Sequence, residues 1–275
     1  MDKVADYIEY WDLKVNDWFQ NTDKTDIYLM NLSGFQMDGM PEPYLGNPKE
    51  CSIAIFNFNP GRVSKDSEQT RMYKTYMNLV KDNGYSSIAT YFPYLQTSDF
   101  LNEIGLSGFE KYDGSKWWQN RNSWIEHLIC TTGKDNEKGL KPFALELCPW
   151  HSLKWDSKRF ISSLANPQFK DYIKKYVFSI YENAISNSLC GFGVCIGKSF
   201  SQILEPFDYL NETCKYDPRS SDDGIQLHPT KERYYRVYRK GETIILNTWH
   251  QGGNRVPSED FWEKETELIK KIVRL

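Results

Sequence analysis

Along the first twenty residues the apolar positions Val4, Tyr7, Ile8, Trp11, Val15 and Trp18 recur at three- and four-residue spacings. One apolar stripe of that period predicts an amphipathic helix. From Gly34 to Pro48 (GFQMDGMPEPYLGNP) the chain is rich in Gly and Pro and reads as a loop. The pattern then changes. Ser52–Phe58 (SIAIFNF) is a short β-favouring run that stops at Asn59-Pro60-Gly61, and Phe143–Leu147, Phe192–Ile196 and Thr243–Leu246 repeat it. Between these runs Asp66–Lys81, Trp117–Ile129 and Pro167–Ile185 carry helical spacing. Ser258 is placed to cap a last helix bearing Phe261, Trp262, Leu268, Ile269 and Ile272. Short buried strands alternating with helices predict an α/β fold: a central four-stranded, mostly parallel sheet with helices on both faces, in three layers α/β/α. Residues 1–33 form an N-terminal helical extension in this reading, and residues 34–275 one domain.

Composition sharpens the picture in three ways. With 275 residues, 40% of them apolar and 15% aromatic, a sizeable core is available and wholesale disorder is excluded. No apolar run approaches the roughly 18–20 residues of a membrane span, and the acidic, amphipathic start MDKVADYIEYWD does not suit a targeting peptide. The expectation is a soluble, cytoplasmic protein. Cys51, Cys130, Cys148, Cys190, Cys195 and Cys214 show no CxxC pair and no zinc-like spacing, so they read as reduced thiols, with no metal and no cofactor implied. The net charge of −3, from 34 basic and 37 acidic residues, argues against electrostatic coating of nucleic acid but permits a local basic groove.

In open α/β sheets, ligands bind beyond the carboxyl ends of the strands. The residues there are Asn59-Pro60-Gly61-Arg62, Cys148-Pro149-Trp150-His151, Gly197-Lys198-Ser199 and the stretch from Asn247 to Arg255. Together these strand ends resemble the uracil-DNA glycosylase superfamily. Asn57-Phe58-Asn59-Pro60-Gly61 is similar to its G-x-N-P-G motif, with Asn57 in place of the first Gly. His250 stands where the family has the histidine of H-P-S, here followed by Gln251 and Gly252. The likeness is greatest to the single-strand-selective monofunctional branch. Its Asn-x-Cys-Pro pattern is similar to Glu146-Leu147-Cys148-Pro149, and its last motif, like this one, runs from a His to a Trp twelve residues on, here Trp262. The resemblance spans about residues 40–275.

The resemblance implies a monofunctional DNA glycosylase that hydrolyses the N-glycosidic bond of a flipped, modified pyrimidine. It gives Asn59 the attacking water and His250 the leaving base. An amide cannot deprotonate water strongly, so Asn59 positions it; an imidazole can donate a hydrogen bond to the departing pyrimidine in either protonation state. Phe58, Glu146, Tyr73 and Tyr44 are the base-binding candidates, since a flipped base is stacked on an aromatic ring and read on its edge. The family reads uracil with an Asn amide. An ionised Glu146 offers acceptors only, which suits the N4 amino group of a cytosine, and a neutral one can also donate to N3. A cytosine-type substrate needs a second discriminator such as a bulky 5-substituent, which would fit a role in antiphage defence.

For the DNA strand, Arg62 flanks the first motif and Gly197-Lys198-Ser199 opens a helix suited to a phosphate. Gly252, Asn254 and Arg255 stand on the loop with which the family probes the duplex. Lys231–Lys240 holds five basic residues and one acid among three tyrosines, and residues 151–180 hold six basic against two acidic; either could line a DNA groove, and a solvated strand face explains the first equally well. DNA is thus the expected partner of a monomer, with no membrane. Lys198 is the one lysine in these motifs, and no obvious lysine nucleophile appears, hence a monofunctional enzyme. His127 falls in a helical pattern and reads as structural; His151 is a rim candidate; Leu227-His228-Pro229-Thr230 imitates H-P-S but precedes a strand. Gly191, Gly193 and Gly197 begin and end a strand, whereas a dinucleotide fingerprint needs glycines in the turn after it. The rival reading is a catalytically silent DNA- or base-binding module of the same fold.

Overall fold

A computed structural model describes residues 3–21, 26–134, 139–216, 225–228, 231–250 and 255–273. The fold is α/β, as the alternating pattern predicts, but among the described residues the strands number eight and their pairing is mixed. They are β1 (Tyr44–Leu45), β2 (Ile53–Asn57), β3 (Pro142–Glu146), β4 (Gly193–Ile196), β5 (Leu210–Asn211), β6 (Ile225–His228), β7 (Lys231–Lys240) and β8 (Thr243–His250). The expectation of four mostly parallel strands is therefore corrected. β1 and β5 have two residues each, too few to leave a period, and β7 hides behind its charges. The chain forms two compact units: residues 1–47, 57–120 and 143–180, and residues 48–56, 121–142 and 181–275.

In the first unit, helix Lys3–Gln20 buries Val4, Tyr7, Trp11 and Val15, the predicted stripe. Helix Ser67–Asn83 begins where Asp66 accepts hydrogen bonds from the Glu68 and Gln69 backbone N–H groups, and it ends at Gly84. It buries Met72, Tyr73, Tyr76 and Val80. β1 runs antiparallel to β3, with Tyr44 opposite Leu145. β3 is buried through Leu145 and becomes half-buried at Glu146, its last residue. The predicted helix Pro167–Ile185 is an α-helix Pro167–Ile173, a π turn Lys174–Phe178 and an α-helix Ser179–Asn187.

In the second unit, β2, β4 and β8 are parallel neighbours, with Ile55 opposite Val194 and Val194 opposite Leu246. Buried on nearly every residue, β2 and β4 are the continuous apolar runs that a parallel sheet demands, and β8 is such a run through Leu246. Gly193 opens β4 because the Tyr181 ring lies against it, leaving no room for a Cβ, while the Tyr181 hydroxyl donates to the Val194 carbonyl at 3.0 Å. β7 and β8 form an antiparallel hairpin, from Arg233 opposite His250 to Lys240 opposite Thr243. β5 and β6 each pair antiparallel with β7. In β7 Arg233, Tyr235 and Val237 are buried and Tyr234 and Arg236 between them half-buried, so the run of charges conceals an alternation that ends at the buried Tyr238. Ser258 precedes a 3-10 turn, Glu259–Phe261, and then helix Trp262–Val273, but its side chain makes no capping bond, which corrects the expectation of a Ser258 cap.

Candidate active site

Both motif-bearing turns of the first unit start where a strand runs out. The Leu147 N–H donates to the Asn57 carbonyl and the Cys148 N–H to the Phe58 carbonyl, each at 2.9 Å, which holds Asn57-Phe58 beside Leu147-Cys148. Beyond them the chain turns at Gly61 (φ 87°), whose carbonyl accepts from the Ser152 N–H at 2.8 Å. Gln36 ties the two turns together. Its backbone N–H donates to the His151 carbonyl at 2.9 Å, and its Oε1 accepts from the Val63 N–H at 2.8 Å.

Three of the sequence-predicted side chains lie at these turns. Asn59 Nδ2 donates to Ser152 Oγ at 3.1 Å, which orients the amide with its oxygen directed away from Ser152. The Phe58 ring stacks on Trp155 at 5.4 Å and 16°. Glu146 Oε1 accepts from Asn57 Nδ2 at 3.0 Å. Glu146 as a residue keeps some exposure, yet its Oε2 is buried and has no hydrogen-bond partner among the described residues. Burial pushes the carboxyl up from 4.5 to about 8; the Asn57 hydrogen bond pulls it back in part, and the Glu42 charge adds to the rise. At neutral pH this carboxyl is therefore mostly protonated.

Behind the second turn lies a cluster that the sequence does not announce. His151 is 3% exposed, against the expectation of a rim residue. Its Nε2 lies 3.0 Å from the Tyr73 hydroxyl and 3.4 Å from Glu42 Oε1. The Glu42 N–H donates to the Pro149 carbonyl at 2.8 Å, and the Tyr94 hydroxyl donates to Glu42 Oε2 at 3.3 Å. A buried acid inside a Gly/Pro loop has no periodic signature, so only the Cys-Pro-Trp-His strand end hints at the cluster. Gly39 is packed against it: a Cβ there would sit 2.7 Å from both His151 Cδ2 and Val63 Cγ2. Gly39→Ala is expected to destabilise the protein by about 1–3 kcal/mol through overpacking; an unchanged urea midpoint would count against that tight fit.

The remaining candidates fall in different places. Tyr73 is 2% exposed, with its hydroxyl 3.3 Å from the Met40 carbonyl as well as beside His151. Tyr44 is 1% exposed, packed among Tyr7, Tyr85 and Phe143. Both rings are packed in the core, which corrects the expectation that either lies open to stack a base. Arg62 is exposed on the first turn. His250 ends β8 in the second unit and is half-buried, beside Trp249, which stacks on Tyr234 at 5.5 Å. There too, Lys198 is exposed, and Ser199 precedes the five-residue helix Phe200–Leu204 without making a capping bond. Arg255 is exposed; Gly252 and Asn254 lie outside the described residues. His127 stacks on Trp262 at 4.5 Å and lies 3.2 Å from Glu265 Oε2, a packing role.

Comparison with known protein families, with curated proteins and with solved structures finds no match to this chain. Among the described residues, no helix is long and apolar enough to cross a membrane, and no group of three or more His, Cys, Asp or Glu is placed to hold a metal ion.

Proposed function

We propose that the chain is a monofunctional DNA glycosylase, acting as a monomer without metal or organic cofactor on a flipped, modified pyrimidine, within the layered α/β fold of the family it resembles. The observation that carries this reading is Glu146. A buried polar atom without a partner costs about 1–3 kcal/mol; several of the described residues carry one, and Glu146 is the carboxyl among them that ends a strand. The orphaned Oε2 sits at the end of β3, whose exit is bonded to the exit of β2, from which Phe58 and Asn59 project.

The chemistry asked of these residues is modest. The bond between the sugar C1′ and the base nitrogen breaks, its electron pair leaves with the base, and water adds to C1′ and gives up a proton. Positive charge grows on the sugar and negative charge on the base, so the catalyst needs an oriented water and a donor to the base. Asn59, oriented by Ser152, supplies the first. His250 supplies the second by the resemblance.

Abasic-site formation on labelled oligonucleotides carrying uracil, 5-hydroxymethyluracil, cytosine, 5-hydroxymethylcytosine or its glucosylated form tests the reading in single and double strands. One of these bases is expected to be released, and Asn59→Ala to slow release by about a hundredfold, the effect of removing one well-placed polar group. DNA binding with no release from any substrate, in wild type and variant alike, would leave a silent binding module.

A further inference from the structure

We propose that Asn57 and Glu146 act as one reading unit, and that the edge they accept is that of a cytosine-type pyrimidine, an amino donor beside a ring-nitrogen acceptor. The proposal rests on the glycosylase reading above and names its substrate class.

The two residues are two of the places at which the strand-end motifs depart from the family they resemble, Gly in one case and Asn in the other, and they bond to each other at 3.0 Å. A glycine at 57 could not make that bond. An asparagine at 146, one methylene shorter, would pull back from it. The departures are a matched pair.

Their bond also sorts the two carboxyl oxygens. Asn57 Nδ2 donates to Oε1, which makes Oε1 the acceptor oxygen and places the carboxyl proton on Oε2, the buried atom without a partner. Oε2 is closed off in this structure, and once an entering base displaces the packing over it the pair offers a fixed acceptor, through the second lone pair of Oε1, next to a fixed donor, Oε2–H. A cytosine edge completes both: its N4 amino group donates to Oε1 and its N3 accepts from Oε2–H. Cytosine N3 is a ring nitrogen basic enough to share a carboxyl proton, which strengthens the bond. Uracil has no such atom; its N3 carries a hydrogen and its O4 is a weak acceptor.

The test measures binding apart from cleavage. Oligonucleotides carry a non-hydrolysable 2′-fluoroarabino analogue of deoxycytidine, of 5-hydroxymethyldeoxycytidine or of deoxyuridine, and fluorescence anisotropy reads affinity. The wild type is expected to prefer a cytosine-type analogue over deoxyuridine by about tenfold or more, the discrimination of a good two-point base contact. The double variant Asn57→Gly/Glu146→Asn is expected to reverse the preference. Glu146→Gln, whose amide keeps an acceptor beside a donor, should retain it, which separates lost reading from lost folding. Equal affinity of the wild type for both edges, tighter binding of deoxyuridine, or no binding of any analogue overturns the proposal. Base release is followed in parallel on the cleavable substrates. Preference without release sinks the glycosylase reading and leaves the edge assignment standing.

Discussion

At pH 8 the Glu146→Gln variant is expected to unfold about 5–10 °C above the wild type, and at pH 4.5 to unfold at nearly the same temperature. The folded protein holds this carboxyl at about 8, above its ordinary 4.5, so folding takes up a proton between those values. A raised pKa contributes stability that is fully present below the unfolded value and is lost as pH rises through the folded one. Linkage puts an upper limit of about 4–5 kcal/mol on the loss, and the residue's partial exposure brings the expected figure to about 2–3 kcal/mol. Glutamine keeps the shape, accepts from Asn57 and never has to be neutralised. Thermal melts of both proteins between pH 4.5 and 8 check this. A shift of the same size at both ends would show that packing, not protonation, sets it. A gain of that size would support a role for Glu146 other than folding.

How much of this was readable beforehand differs between core and site. β2, β3, β4 and β8 stand close to where the runs Ser52–Phe58, Phe143–Leu147, Phe192–Ile196 and Thr243–Leu246 put them, because a strand buried on both faces leaves an unbroken apolar run. Asp66 could be read as the start of a helix because its side chain is the capping group itself. β7 resisted, since Lys231–Lys240 reads as surface while Tyr235 and Val237 are wholly buried between its charges. β8 runs to His250 and not to Leu246 because Asn247 and Thr248, polar in sequence, are buried and bonded: Asn247 Nδ2 donates to the Gly197 carbonyl at 3.0 Å and Thr248 Oγ1 to the Tyr234 carbonyl at 3.2 Å. In the site, Asn59 and Glu146 could be singled out from their strand-end positions. The partnership of Asn57 with Glu146 could not, because 89 residues separate them and each alone looks like a lapse from a motif. Glu42 and His151 were hidden for the same reason, brought together only by the path of the loop between them.

The second unit depends on one buried acid, and Glu265→Ala is expected to cost about 3–5 kcal/mol of stability, as removing one member of a buried polar network does. Glu265 is 0% exposed on helix Trp262–Val273. Trp124 Nε1 donates to both of its oxygens, at 3.1 and 3.0 Å, and the Tyr235 hydroxyl makes a short hydrogen bond to Oε1. His127 Nε2 lies 3.2 Å from Oε2 in a geometry outside hydrogen bonding, beside the stack of its ring on Trp262. The carboxylate thus fastens the C-terminal helix to β7 and to the helical segment bearing Trp124 and His127. Alanine removes the acceptor, leaves the Trp124 indole N–H buried without a partner and takes the short bond from the Tyr235 phenol, which costs more than the lost bonds themselves. Glutamine keeps one acceptor oxygen, and its amide can donate to His127 once that ring carries its proton on Nδ1, so Glu265→Gln should lose clearly less than the alanine variant. Chemical denaturation of the three proteins decides the matter. Equal losses for the two substitutions would mean that the charge, and not the acceptor geometry, holds the helix in place.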